Sequence, residues 1–243
     1  MKKILIANRG EIALRIQRAA RDMDIATVAV YSRDDIQARH RFLADESHSL
    51  QGEGPAAYID IEAILAAAKA TGCDAVHPGY GFLSERADFA VACKTAGLCF
   101  IGPDVAQLTL FGDKGQALAL ARECQVPVMP STAGGASLQE IVRFFDAHKA
   151  TGIVIKAVGG GGGRGMRVVR HREDLAEAFE RCRSEAASAF GVDTLYAERL
   201  VARARHIEVQ VAGDGQHVVT LGERDCTLQR RFQKLVEIAP SPV

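Results

Sequence analysis

The 243-residue chain is long enough for one or two domains with a substantial core, and its 48% hydrophobic and 25% charged content is that of an ordinary globular protein. Its 30 Lys and Arg residues cancel 30 Asp and Glu, so no global field favours nucleic acid or an anionic membrane as a partner. The opening Met1-Lys2-Lys3-Ile4 meets Asn8-Arg9 too early for a signal-peptide apolar region, no stretch could span a bilayer, and the six cysteines form no C-x-x-C pair or metal-ligand spacing, so the expectation is a reduced cytoplasmic protein with no metal ligands of its own.

Ile4-Leu5-Ile6-Ala7 is an apolar run too short for a helix and predicts a buried strand. Residues 11–23 follow as a helix, with Ile12, Ile16, Ala19, Ala20 and Met23 on one face. Next come a strand at 26–31, another near 47–50, and a helix opening on Asp60 as N-cap and closing at Gly72. A strand at 75–77, a helix over 84–96 and a strand at 98–101 complete an alternation that implies a mainly parallel, doubly wound sheet over residues 1–113. Asp104 with Gln107, and Asp113 with Gln116, have capping-box spacing, and residues 114–130 read as a helix and linker through Val126-Pro127-Val128-Met129-Pro130. Residues 131–203 predict a small α+β unit: a helix from Ser137 with Glu140 at its box position, a strand at 153–158, a second from Met166, a helix over 175–186 and a strand at 195–200. From 204 a third region begins, with Ile207, Val209 and Val211 alternating with His206, Glu208 and Gln210 as one buried and one polar strand face. Asp214-Gly215 is a hairpin turn into 218–221, and the region reads as the start of a larger mixed sheet.

Five glycines, 159–163, lie between two of these strands. A glycine hairpin can lay backbone N–H groups over phosphate oxygens, and Lys156 at its edge can aim a cation at the same anion. It is not a P-loop, which needs G-x-x-x-x-G-K-[ST] between strand and helix. The plain alternative, a low-complexity linker, fits poorly between two β-branched strands.

Several spaced strings together resemble the biotin carboxylase branch of the ATP-grasp enzymes: Ile6-Ala7-Asn8-Arg9-Gly10-Glu11-Ile12-Ala13, His77-Pro78-Gly79-Tyr80-Gly81-Phe82-Leu83-Ser84-Glu85, Phe100-Ile101-Gly102-Pro103, Gly112-Asp113-Lys114, the glycine loop, Glu223-Arg224-Asp225-Cys226 and Gln229-Arg230-Arg231-Phe232-Gln233-Lys234. The resemblance implies a Rossmann-like N-terminal domain, an ATP-grasp lid over 131–203 and the opening of the C-terminal ATP-grasp lobe over 204–243. It implies an enzyme in which ATP phosphorylates bicarbonate and the carboxyphosphate passes carbon dioxide to N1 of biotin on a carrier protein.

By the same resemblance Lys114 and Lys156 meet the phosphates, Gly162 and Gly163 belong to a lid above them, and Glu198, Arg199, Leu200 and Val201 lie along the adenine edge, where backbone groups read the base. His206, Gln229 and Phe232 match nucleotide-contacting positions, Gln233 and Lys234 match the bicarbonate region with Lys234 catalytic, and Tyr80 falls near the biotin site. For His206 the alternative is a surface-strand histidine, for Tyr80 a packing tyrosine; Arg230 and Arg231 are either structural or carrier-facing. Phe232 stands where the family usually has histidine. The family's magnesium-binding glutamates are expected beyond Val243, so no metal ligand is assigned and the 243-residue chain is expected to be inactive alone. Expected partners are a biotin carboxyl carrier, a carboxyltransferase and a second copy in a homodimer. Two other readings stand beside this one: a non-catalytic ATP-binding or assembly module, and an ATP-grasp ligase acting on another acid.

Overall fold

In the computed structural model the described residues are 1–159, 165–230 and 233–242, with only the backbone described at Phe190 and Gln233. The chain divides into two units, Met1–Gly112 and Asp113–Val243.

The first unit is built on a parallel sheet whose strands alternate their side chains between two buried faces. Its elements are β1 (Lys3–Ile6), α1 (Gly10–Asp22), β2 (Ala26–Tyr31), α2 (Arg39–Leu43), β3 (Glu46–Ser49), α3 (Gly54–Ala57), α4 (Ile61–Ala70), β4 (Ala75–His77), α5 (Ala87–Thr95), β5 (Cys99–Phe100) and α6 (Val105–Gly112). The strand order is β3-β2-β1-β4-β5, all neighbours parallel. Leu5, Val28, Val30 and Val76 face one layer with Tyr58, Ile64, Leu83 and Phe89, while Ile4, Ile6 and Ala75 face the other with Ala13 and Ile16. Core on both faces is why β1 reads as an uninterrupted apolar run.

The expected start of α4 holds: Ala63 N–H donates to Asp60 Oδ1 at 3.0 Å. The reciprocal Asp104–Gln107 pair also forms, at 3.1 and 2.8 Å. Two expectations change. The buried stripe of α1 is Ala13, Ile16, Gln17 and Ala20, with Ala19 exposed and Met23 66% exposed, because Gln17 turns inward to donate to the His40 carbonyl at 2.6 Å. The helix expected over 84–96 starts at Ala87; successive turns, Ser84 N–H to Gly81 O and Arg86 N–H to Leu83 O, first bring Leu83 into the core.

The strand order reverses between β1 and β4, the crevice where such sheets hold ligands. Here protein groups occupy it. Asn8 Nδ2 donates to the carbonyls of Pro78 at 2.7 Å and Tyr80 at 2.8 Å, and a Cβ on Gly79 would lie 2.8 Å from that nitrogen. Arg9 pairs with Asp35 at 3.0 Å beneath the stacked rings of Tyr58 and Phe82.

The second unit opens with α7 (Lys114–Glu123), whose N-cap Asp113 accepts from the N–H groups of Gly115 and Gln116. There follow α8 (Leu138–His148), β6 (Ile153–Ala157), β7 (Met166–Val169), α9 (Leu175–Phe190) and β8 (Leu195–Arg199). Ser137 and Glu140 form the full capping box at the head of α8. The antiparallel sheet β7-β6-β8 packs Ile153, Ile155, Ala157, Leu195 and Ala197 against Ile141, Phe145, Leu175, Cys182 and Ala186 of the two helices. Val154, Lys156, Tyr196 and Glu198, at the alternate positions, therefore face the other way.

Beyond this sheet lie β9 (Ile207–Gly213), β10 (Val218–Asp225), β11 (Gln229–Arg230) and β12 (Gln233–Lys234), paired antiparallel as β9–β10 and β11–β12. The expected buried face of β9 is not covered. Ile207, Val209 and Val211 are 42%, 53% and 52% exposed, and on the opposite face His206 and Gln210 are exposed too, with only Glu208 half-buried where it collects cations from β10 and β12.

Candidate functional site

Lys156 lies opposite Tyr196 in the β6–β8 ladder, and its ammonium pairs with Glu198, one step along the same face. Lys114, the first residue of α7, is half-buried near them. Burial pulls its ammonium below the usual lysine range, the like charge of Lys156 adds to the effect, and Glu198 opposes it. Burial and the Glu198 carboxylate together push the Tyr196 phenol above its ordinary range. The group thus gathers two ammonium groups and one carboxylate. Beside it lies a cavity of about 240 Å³ lined by Lys114, Leu118 and Arg122 of α7, Thr132, Gly134, Val158 and Tyr196.

The expected adenine edge follows β8. The N–H of Arg199 donates to Pro130 O and that of Leu200 to Gly152 O, both at 3.0 Å, and Val201 beyond them is half-exposed.

A second cluster joins β9, β10 and β12. Glu208 accepts from Arg224 Nη2 at 2.5 Å and Nε at 3.0 Å on one oxygen and holds Lys234 on the other. These cations hold its carboxyl down at about 2, Lys234 exerting the larger pull. Reciprocally, Glu208 raises the Lys234 ammonium above the usual lysine range. Gln229 stands opposite Lys234 in the β11–β12 register, and its amide nitrogen lies 2.9 Å from His206 Nδ1.

Thus Lys114, Lys156 and Glu198 meet in one cluster, and His206, Gln229 and Lys234 line up in another. Tyr80 belongs to the first unit, where its hydroxyl donates to Glu11. Gly162, Gly163, Arg231, Phe232 and the Gln233 side chain lie outside the described residues. Two participants were not singled out from sequence. Tyr196 was detectable as the residue two before Glu198 on the same strand face. Arg224 was hidden by a β-bulge, because an unbroken hairpin would set Glu208 against Glu223, and the shift between Thr220 and Glu223 brings Arg224 there instead.

Magnesium does not fit the ligand atoms gathered here. Glu208, Cys226 and Glu237 place one atom each within 4.8 Å of one another, but the Glu208 oxygens already hold Arg224 and Lys234. Burial raises the Cys226 thiol, and a protonated sulfur is a poor partner for a hard cation that prefers oxygen. Nucleotide phosphates do fit the Lys114–Lys156 cluster, as two point charges need no fork geometry.

Residues 1–108 match the family model of the biotin carboxylase N-terminal domain, and residues 113–243 match that of the carbamoyl-phosphate synthase L chain ATP-binding domain. The chain belongs to the biotin carboxylase family. It is 51% identical over 245 residues to pyruvate carboxylase of Bacillus subtilis (strain 168) and 50% identical over 246 residues to mitochondrial pyruvate carboxylase of Homo sapiens. Each match takes in 99% of this chain but only 21% of the relative, so the chain spans about a fifth of these proteins. Among solved biotin carboxylases, a β,γ-ATP complex from Campylobacter jejuni superposes with a TM-score of 0.95 at 42% identity, over 99% of this chain and 54% of that one. The biotin carboxylase domain dimer of Hydrogenobacter thermophilus 2-oxoglutarate carboxylase, with MgADP, ADP and bicarbonate, superposes at 0.93, with 42% identity over 99% and 53%. The biotin carboxylase fold is therefore that of both units.

Proposed function

We propose that the chain forms the nucleotide- and bicarbonate-binding part of a ligase in which ATP phosphorylates bicarbonate and the resulting carboxyphosphate carboxylates biotin on a carrier. The observation that carries this reading is the convergence of Lys114 and Lys156 around Glu198 beside the cavity. Phosphoryl transfer is chiefly positioning and electrostatic stabilisation, and these groups supply it. Lys114 and Lys156 hold phosphate oxygens, the segment with Gly162 and Gly163 forms the lid within 131–203, and Glu198 to Val201 flank the adenine. His206, Gln229 and Phe232 meet the nucleotide. Lys234, set by Glu208, holds the bicarbonate anion with Gln233, and Tyr80 borders biotin. Magnesium, when bound, neutralises phosphate charge; its ligands come from outside the residues described.

The chain spans 53–54% of the matched carboxylase structures, and turnover is expected to need the whole unit. A carrier, a carboxyltransferase, a second copy of the chain and a cytoplasmic setting complete the reading. The final acceptor is chosen by the carboxyltransferase and not by the groups above.

The test is calorimetric titration of the chain with ATP, alongside bicarbonate-dependent ATP hydrolysis in a complete carboxylase carrying the same substitutions. Lys156→Gln should weaken ATP binding by at least tenfold and depress hydrolysis in parallel. Unaltered nucleotide affinity, or hydrolysis indifferent to bicarbonate, would overturn the assignment.

A further inference from the structure

We propose that Gln229 is a positioning residue that fixes His206 in its Nε2–H tautomer, so that His206 offers the nucleotide a hydrogen-bond donor and binds an acceptor oxygen on it. This rests on the reading of His206 as a nucleotide contact.

Hydrogen accounting leads to this assignment. The Gln229 side chain reaches the Cys226 carbonyl at 2.9 Å, and a carbonyl can only accept. The atom facing it is therefore the amide nitrogen, since the opposite flip would set two acceptors against each other. The same nitrogen lies 2.9 Å from His206 Nδ1 and carries a second hydrogen. Nδ1 must then present its lone pair, and in the neutral ring the proton sits on Nε2.

The backbone of His206 is held by the same turn. Its N–H donates to Thr227 Oγ1 at 2.9 Å, and its carbonyl accepts from Cys226 N–H at 2.8 Å. The Thr227 hydroxyl directs its single hydrogen to Asp225, which leaves its lone pairs to accept from His206. Asp225 is anchored in turn by Arg205 at 2.9 Å. The nearest carboxylate oxygen to Nε2, Glu208 Oε2, is 4.0 Å away, outside hydrogen-bond reach, and is committed to Lys234. With the His206 side chain 47% exposed, Nε2–H is the group turned to a ligand. A neutral donor adds direction where Lys114 and Lys156 add charge, so it selects an oxygen with a lone pair.

The experiment is a long-range ¹H–¹⁵N correlation spectrum of the histidine-labelled chain, recorded roughly two pH units above the ordinary imidazole pKa. Expected is a pyridine-like Nδ1 and a pyrrole-like Nε2 for His206. Gln229→Glu replaces the donor with an acceptor and should invert the pair; Gln229→Leu, which removes the side-chain polarity, should yield a mixture. Both variants should also weaken ATP binding by roughly tenfold. A pyrrole-like Nδ1 in the parent chain, or a pattern unmoved in both variants, would overturn the proposal. His206→Ala separates the two ideas: ATP affinity unchanged in that variant defeats the nucleotide reading even if the tautomer is as assigned.

Discussion

Replacing Glu208 by glutamine keeps the shape of the side chain and removes the charge that two cations share. The carboxyl is moved from its ordinary 4.5 to about 2 by Lys234 and Arg224. At 1.36 kcal/mol per tenfold change in proton affinity this corresponds to ~3 kcal/mol. The Lys234 and Arg224 side chains are 39% and 29% exposed, and solvent screening reduces the net effect to ~1.5–2 kcal/mol. Glu208→Gln should therefore lower the unfolding free energy by that amount near pH 7, since it also leaves two like charges facing each other. The folded-state pKa is depressed, so the stabilisation is complete above about pH 4.5 and fades as the pH falls towards about 2. Urea unfolding of both proteins at about pH 7, 5 and 3 should show a gap that is constant over the first interval and narrows over the second. Equal midpoints near neutrality, or a gap that does not narrow in acid, would refute the reasoning.

Other outcomes follow from single residues. Gly222 sits at φ +91° in the bulge, so Gly222→Ala should destabilise the hairpin by ~1–2 kcal/mol in the same urea assay, although nothing lies within 4 Å of the added Cβ. Ser137→Ala should cost ~1 kcal/mol by removing the α8 capping box, again read from the urea midpoint. With Lys114 below the usual lysine range, ATP affinity measured by calorimetry should decline at a lower pH than a solvated lysine would dictate, and Lys114→Arg should abolish that decline. Phe232→His supplies a donor in place of a ring and should tighten Mg-ATP binding by roughly ten- to a hundredfold in a complete carboxylase, with the benefit shrinking as salt is raised.

Local chemistry was legible wherever a short stretch carried its own partner. Asp60 capping α4, Ser137 with Glu140, and the apolar runs of β1 and β6 could all be read within a few residues. Lys156 was legible as a cation at the edge of a strand, and its partner Glu198 fell within the resembling segment. What escaped depended on distant partners. Gln17 is an inward-facing residue of α1 only because the His40 carbonyl awaits it, and no helical pattern would place a glutamine there. Arg224 meets Glu208 only through a one-residue slip in the hairpin, which counting back from Asp214-Gly215 does not reveal. The burial of β9 was misjudged for a related reason: alternation shows that two faces differ, but only contacts from other elements cover a face, and here the cations of β10 and β12 half-bury Glu208 alone.

The pairing of Lys156 with Glu198 has a kinetic consequence. A lysine side chain loses up to ~2 kcal/mol of rotamer freedom when it is immobilised. In this sheet the carboxylate across the ladder has already arrested that motion, with the Lys156 side chain only 30% exposed. Glu198 serves as a stand-in for the guest, keeping the ammonium aimed before any phosphate arrives. On the proposed reading, an entering phosphate would share or displace a partner held one strand away, by exchange of ion pairs rather than by capture of a wandering chain.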